Sequence, residues 1–379
     1  METIADRQVC SGCTACKIKC PQKAIFMKED QKGFVYPVIE QSICIDCGLC
    51  RKICPAINDV RKHIPKRIVS VKMKDTNKIV RSQSGGAFTV IAEYFISQGA
   101  IIYGCAMDNQ NEVRYSRVTS IHELERLKGS KYVQAALDNT YEMVKEDLNK
   151  GHLILFSGTP CYIAGLNNAL KNERHYSRLF TVDLICHGTP SPKIYRDYLH
   201  WVETQYGTSI KQFDFRARSL PWRTYKEYIK LKNGKELYSQ MYASFFNSNL
   251  TLRSSCSVCQ YTKFERVSDF TIGDYWGIEN EFPEFEDSRG VSLLFLNTER
   301  SKMIFQKIQG NVHFIDIKPE QCMQPNLIAP TYVSKKMENM FWKIYRKNGM
   351  NKSYKHFFKL SEYVTRIERK FKRLISNHE

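Results

Sequence analysis

The chain has 379 residues, 42% hydrophobic, 12% aromatic and 25% charged, a length that suits two or three domains and a composition that excludes a disordered or low-complexity polymer. Apolar runs such as residues 153–156 and 293–296 are far shorter than the roughly 18 to 20 residues of a membrane-spanning helix, and METIADRQVC lacks an apolar signal core, so a cytoplasmic protein is expected. Two numbers are unusual for such a chain, 14 cysteines and a net charge of +18.

In chain order, the first 54 residues hold eight of the 14 cysteines in two runs of one form, Cys10, Cys13, Cys16, Cys20-Pro21 and Cys44, Cys47, Cys50, Cys54-Pro55. In a reducing cytosol such density favours metal-binding thiolates over disulfides. Zinc typically takes four ligands as two C-x2-C pairs. Cysteines at i, i+3 and i+6 instead wrap three iron corners of a cube and leave the fourth ligand to come from elsewhere. Two zinc knuckles or a disulfide scaffold stand as alternatives, but neither accounts for a repeated triple spacing with a Cys-Pro end on both copies. The pattern is that of bacterial dicluster ferredoxins, where the fourth cysteine serves the other cluster. Cys10, Cys13, Cys16 and Cys54 would hold one 4Fe-4S centre, and Cys44, Cys47, Cys50 and Cys20 the second. Between the runs, Gly33 is flanked by the alternating apolar residues Phe34, Tyr36 and Val38, the signature of a hairpin. A module of residues 1–60 needs its clusters in order to fold.

Residues 58–68 are charged, contain Pro65 and read as a linker. Strands and helices then alternate: IVSVKM as a strand, a Ser/Gly turn, a helix over about 87–98, a strand in AIIYGCAMD, and strands in LILFSGT and LFTVDLICHG on either side of a helix in AGLNNALK. This order predicts an α/β domain, whose ligands sit at loops following strand ends. Ser84-Gly85-Gly86 opens a helix, where backbone amides either face a phosphate or form a plain cap. Residues 128–132 set two lysines around a Gly-Ser turn. Residues 156–161 and 183–192 each end a strand. In them His187 is either a satisfied loop histidine or a functional group, and Cys161 and Cys186 are either small buried hydrophobes or ligands. Cys256 and Cys259 form a lone C-x2-C, half a metal site, with Cys161 and Cys186 as available companions. A third cluster or a redox dithiol competes there with free structural thiols. Cys105 and Cys322 read as packing residues.

The cysteine-rich head, RSQSGG, LKGSKYVQ, LFSGTPC, VDLICHGTPSP, and RSSCSVCQY through DFTIGDYWGI, in this order, resemble the family of coenzyme F420 hydrogenase/dehydrogenase beta subunits over about residues 10–325. Bacterial relatives that resemble this chain are found among polysaccharide-synthesis genes. The resemblance implies an α/β body that binds FAD, with an N-terminal region over 66–148 and a C-terminal region over 149–325. It also implies a protein that passes electrons between a two-electron hydride carrier and one-electron iron–sulfur centres. Its partners would be a hydride-donor coenzyme or small organic substrate and a redox partner protein. Position by position, Ser84, Gly85 and Gly86, together with Gly129, Ser130, Lys131 and Tyr132, match flavin-contacting loops. Gly158, Thr159, Pro160 and Cys161 match a loop beside the cofactor. Where the family often has serine before Ser84, this chain has Gln83. Lys131 and His187 are the candidate catalytic groups, for holding an anion or handling a proton. The competing functions are a non-catalytic electron-transfer subunit, and a structural or assembly protein of a polysaccharide machinery, which would not require all eight head cysteines.

The charge is concentrated at the end of the chain. Residues 331–379 carry 13 Lys/Arg against 4 Asp/Glu, half of the net charge, while residues 1–60 carry 8 against 7. No groove-reading or base-stacking motif is present, so nucleic acid is not an expected partner. Leu360, Tyr363, Val364, Ile367, Phe371 and Leu374 recur at helical spacing, with Arg366, Arg369, Lys370, Lys372 and Arg373 on the other faces. This predicts a basic amphipathic helix, either docked on the body or touching an anionic membrane surface or an acidic partner. The expected architecture is an α+β dicluster ferredoxin head, an α/β flavin-binding body and a helical basic tail over 331–379.

Overall fold

The structure, a computed structural model, describes residues 3–359; the amphipathic repeat expected over 360–374 lies outside them. In the head, β1 (Ile25–Glu29) and β2 (Val35–Ile39) pair as an antiparallel hairpin. The Asp30 carboxylate accepts from the backbone N–H groups of Lys32 and Phe34, and Gly33 takes φ +87°, a conformation that suits a residue without Cβ. The third cysteine of each run lies in a short helix, Ala15–Ile18 or Leu49–Ile53, entered through a left-handed residue, Thr14 or Gly48.

The body is organised on one eight-stranded sheet made of β3 (Arg67–Met73), β4 (Ile101–Met107), β5 (Val113–Val118), β6 (Ile154–Gly158), β7 (Leu179–Leu184), β11 (Phe270–Asp274), β12 (Ser292–Leu296) and β13 (Val312–Asp316), in the order β13-β3-β12-β11-β7-β6-β4-β5. β4, β6, β7 and β11 run parallel at its centre, and the remaining four add antiparallel. The regions 66–148 and 149–325 thus contribute strands to a single sheet. Alternate residues of each strand face opposite layers. Ile102, Leu155 and Val182 meet helix Ala87–Ser97, while Tyr103, Ile154 and Phe156 meet helices Thr140–Asn149 and Pro160–Leu170.

A second sheet, absent from the sequence reading, contains β8 (Ile210–Asp214), β9 (Glu227–Leu231) and β10 (Glu236–Ser239), all antiparallel. It packs with helices Pro192–Tyr206 and Lys335–Tyr354 around Tyr195, Tyr198, Phe245, Phe341 and Trp342. The start of the basic tail is therefore docked into the body, and Lys32 of the head pairs with the buried Glu338 on that helix at 2.7 Å. No helix among the described residues is long and apolar enough to cross a membrane.

The stretch read as a linker is tied down. His63 exchanges both backbone hydrogen bonds with Arg266, at 2.7 and 2.9 Å, and β3 starts at Arg67. Head and body meet where Ala15–Ile18 lies against Pro160–Leu170. Lys17 Nζ donates to Asn139 Oδ1 at 2.9 Å and Lys19 pairs with Glu173 at 3.1 Å. A Cβ on Gly165 would sit 2.7 Å from Cys13 Sγ, so the absence of a side chain there sets how closely the head approaches.

Candidate functional site

Two small cavities lie in the head. Cys10, Cys13, Cys16 and Cys54 line one, and Cys20, Cys44, Cys47 and Cys50 line the other; the fourth cysteine of each run faces the cavity of the opposite run. The first set is the more deeply buried: Cys13, Cys16 and Cys54 are buried, whereas Cys47 of the second is exposed. Burial, with neighbouring thiols adding to it, pushes Cys13 up to about 12 and Cys16 well above the usual thiol range. Thiolates here require a cationic core to offset that penalty, which an iron–sulfur cluster supplies, and backbone N–H groups of Ala15 and Lys17 already point at these sulfurs.

A third group of thiols assembles in the body. Cys161 is in the first turn of Pro160–Leu170, Cys186 follows β7, and Cys256 and Cys259 belong to the turn at Ser254–Val258 and its cap. Cys186 is raised well above its usual range by burial and then by Cys256, Cys161 and Cys259. The backbone N–H of Thr189 donates to Cys256 Sγ at 3.3 Å. Cys161 also acts on Cys13, so this group adjoins the first head cavity. Among the described residues no three His, Cys, Asp or Glu side chains cluster as a site for a metal ion. A four-iron cube differs from a single ion in carrying its thiolates on separate corners, further apart. The segment bearing Cys256 and Cys259 is fastened by Arg266, fully buried, which pairs with Asp183 at 3.0 Å and donates to the carbonyls of Tyr261, Lys263 and Leu184.

Beside these thiols a cavity of about 480 Å³ opens at the C-terminal ends of the parallel strands, within the range of small-molecule sites and at the place where open α/β sheets take ligands. Of the residues proposed from sequence, Ser84, Gly86, Gly129, Ser130, Lys131, Tyr132, Gly158, Thr159 and His187 line it, as does Cys186. Gly85, Pro160 and Cys161 are not in its wall. A Cβ on Gly85 would lie 2.0 Å from the Val71 carbonyl oxygen, so that glycine serves close packing on β3. Helices Ala87–Ser97 and Pro160–Leu170 both start at the cavity wall; the first turns its N-terminal amides there, whereas in the second Pro160 has no N–H and the N–H groups of Tyr162 and Ile163 donate to the Thr159 carbonyl. Cys105 lines the cavity as well and is not simply a packing residue; Cys322 is buried as a small hydrophobe.

The two candidate catalytic groups are held differently. Lys131 Nζ donates to the carbonyls of Arg126, Leu127 and Lys128 at 3.2, 3.0 and 2.8 Å, and burial draws its pKa down to about 8. Its visible work is to hold the turn at residues 126–131. His187 Nε2 lies 2.7 Å from Asn249 Oδ1, its ring meets Phe246 edge-on, and its carbonyl accepts from Thr331.

Several cavity features escaped the sequence reading. Trp276 and Tyr225 stack at 6.0 Å on the rim, with Trp222 4.7 Å from Trp276. A buried Arg216–Asp274 pair at 2.7 Å underlies them. Two side cavities of about 220 and 250 Å³ share Gln83 with the main one. Arg126, Lys211 and Arg218 line them without a carboxylate partner among the described residues. Asp274 and Trp276 stand within DFTIGDYWGI, a stretch that carried a signal; residues 211–225 carry none.

A family model described as the C terminus of the coenzyme F420 hydrogenase/dehydrogenase beta chain matches residues 151–320, and one for a 4Fe-4S dicluster domain matches residues 9–57. The F subunit of the F(420)H(2) dehydrogenase of Methanosarcina mazei is 27% identical over 202 residues, 48% of this chain and 54% of that protein. The chain thus spans about half the length of that relative. The VorC subunit of the ketoisovalerate oxidoreductase of Methanothermobacter marburgensis is 34% identical over 65 residues, 17% of this chain and 82% of that protein. A chain in the structure of the F420-reducing NiFe hydrogenase complex from Methanosarcina barkeri superposes with a TM-score of 0.49 at 17% identity, covering 78% of this chain and 92% of that one.

Proposed function

We propose, from the matches of residues 151–320 to the C terminus of coenzyme F420 hydrogenase/dehydrogenase beta subunits and of residues 9–57 to a 4Fe-4S dicluster domain, that the chain is an FAD-dependent iron–sulfur oxidoreductase exchanging electrons between a hydride donor and a one-electron partner protein. The observation that carries the reading is a continuous sequence of sites. Cys186 belongs both to the cavity wall and to the third thiol group. Cys161 of that group adjoins Cys13, and the head's two cavities lead on to the exposed Cys47.

Bound FAD would supply the conversion between two-electron hydride chemistry and single-electron transfer. The chain's residues have the task of placement. Backbone amides after Gly86 would hold a phosphate of the cofactor at the start of helix Ala87–Ser97. The turn at residues 129–132, fixed from behind by Lys131, would form one wall, while Trp276 and Tyr225 would screen the mouth from water. An anionic donor would meet Arg126, Lys211 and Arg218 in the side cavities. Cys10, Cys13, Cys16 and Cys54 would hold the inner head cluster, Cys20, Cys44, Cys47 and Cys50 the outer one, and Cys161, Cys186, Cys256 and Cys259 a third.

Anaerobic reconstitution with iron, sulfide and FAD tests this. The expected product binds one flavin per chain, holds three four-iron clusters, and bleaches its flavin and cluster bands in turn when a reduced nicotinamide or reduced F420 is added. Cluster absorption without flavin binding, and bleaching by dithionite alone, would replace this reading with that of a ferredoxin-like carrier.

A further inference from the structure

Three arginines of the body are buried, Arg216, Arg253 and Arg266. An arginine cannot shed its charge, and a buried charge without a counter-ion is strongly unfavourable. Arg216 has Asp274 at 2.7 Å and Arg266 has Asp183 at 3.0 Å. Arg253, 2% exposed, has no carboxylate partner among the described residues. Its acceptors are neutral: Nε donates to the Cys10 carbonyl at 2.8 Å, Nη2 to the Val35 carbonyl at 2.9 Å, and Nη1 to Gln134 Oε1 at 3.0 Å. The guanidinium carbon lies 4.2 Å from the centre of the Tyr36 ring, and Nη2 is 4.0 Å from Cys10 Sγ. The thiols this charge faces are Cys10, which leads the inner head set, and Cys161 and Cys256 of the third group, both of which burial raises and it acts to lower.

The internal repeat sharpens the point. Cys44 occupies in the second run the place of Cys10 in the first, and its sulfur lies 4.0 Å from Asp46 Oδ1. One copy therefore has a cation beside its leading cysteine and the other a carboxylate. Reduction adds negative charge to a cluster, and net local charge is one of the terms that set its potential. We propose that Arg253 is a positioning residue that holds the inner head cluster above the outer one in reduction potential while anchoring the Cys10 loop to the body. This rests on the cluster assignment proposed above.

The test is a redox titration of the reconstituted full-length protein followed by electron paramagnetic resonance, with iron analysis alongside. Arg253→Gln is expected to shift the reduction equilibrium of the inner cluster tenfold toward the oxidised form, about 59 mV for a one-electron couple, leaving the outer cluster unchanged. Because the charge is buried, the shift should persist in high salt. Arg253→Lys keeps the charge and should keep the potential, while the inner cluster's signal broadens as the fork to Cys10 and Val35 is lost. No shift in Arg253→Gln, or equal shifts in both variants, would overturn the proposal. Should Arg253→Gln fail to load the inner cluster, loading in Arg253→Lys supports the charge argument, and loss of that cluster from both variants refutes it. Wild-type protein that takes up iron only at the outer set would defeat the cluster assignment itself, and the proposal with it.

Discussion

Gly165 offers a sharp test of how the head is seated. A methyl group there would lie 2.7 Å from Cys13 Sγ and 2.8 Å from Cys13 Cβ, against 3.4 Å for the near edge of ordinary contact, so the neighbour must yield by about 0.7 Å. Cys13 Cβ is fixed to the backbone of a buried loop and cannot swing aside. Two terms oppose each other. Alanine gains about 1 kcal/mol over glycine in a helix interior, while overfilling a packed interior costs about 1–3 kcal/mol. With both contacts below 3.0 Å the steric cost lies at the upper end of its range, about 3 kcal/mol, and Gly165→Ala is expected to destabilise the protein by about 2 kcal/mol. Calorimetric melting should show a drop of a few degrees, and iron analysis a loss confined to the inner head site. Gly310→Ala is the control, since nothing lies within 4 Å of its added methyl. A Gly165→Ala variant that melts at or above the wild-type temperature with full iron would refute the docking geometry.

Three further outcomes follow from buried polar groups. Asp183→Asn and Arg266→Met should each cost about 3–5 kcal/mol in urea unfolding by stranding the buried partner, and the double variant should recover part of that loss; simple additivity would mean that the pair is not coupled. Burial pushes the Glu227 carboxyl up to about 8, so the native state keeps a proton that the unfolded state gives up near the ordinary carboxylate value. Stability should therefore fall by about 1.4 kcal/mol per unit as pH rises from about 4.5 to about 8 on this account, and Glu227→Gln should flatten that slope in melting curves; an unchanged slope would exclude Glu227 as its source. Lys131→Met removes the amine that gathers three carbonyls and should weaken FAD retention roughly tenfold, about 1.4 kcal/mol, as read by fluorescence titration; unchanged affinity would separate that turn from the cofactor.

What the sequence made legible follows from which signals are local. The eight head cysteines are separated by spacings that only a cluster-binding loop requires, and the strands read at 68–73, 100–108, 153–159 and 179–188 and the helix at 87–98 recur in the structure within a few residues, while β5 and the helix Thr76–Arg81 went unread and helix Pro160–Leu170 starts four residues ahead of AGLNNALK. The sheet order was hidden because β11, β12 and β13 return from more than 80 residues away to join β7 and β3, a choice made by packing rather than by any nearby residue. The small sheet is edged by β10, whose four residues alternate between exposed and half-buried and so leave little hydrophobic pattern to read. Arg253 opens the RSSCSVCQY stretch, but its role was hidden for a different reason. It is one of 57 basic residues, and only burial and the lack of a carboxylate distinguish it. The rim tryptophans and the basic side cavities likewise exist only through convergence of distant loops.

The two copies of the cysteine run show how identical ligand spacing acquires unequal roles. Aligned on their cysteines, Ser11 and Ala15 of the first copy correspond to Ile45 and Leu49 of the second. Small residues let the first loop lie against Pro160–Leu170, where Ala15 is fully buried and Gln134 donates to the Ser11 carbonyl. The larger apolar residues of the second copy face outward, Ile45 at 60% and Leu49 at 43% exposure, beside the exposed Cys47. Spacing specifies the cluster type in both copies, but side-chain volume decides which copy is seated in the body and which remains open to solvent. In the proposed function that difference gives the head a direction, because the inner site lies between the body and the outer site, and the outer site is the one a separate protein can reach.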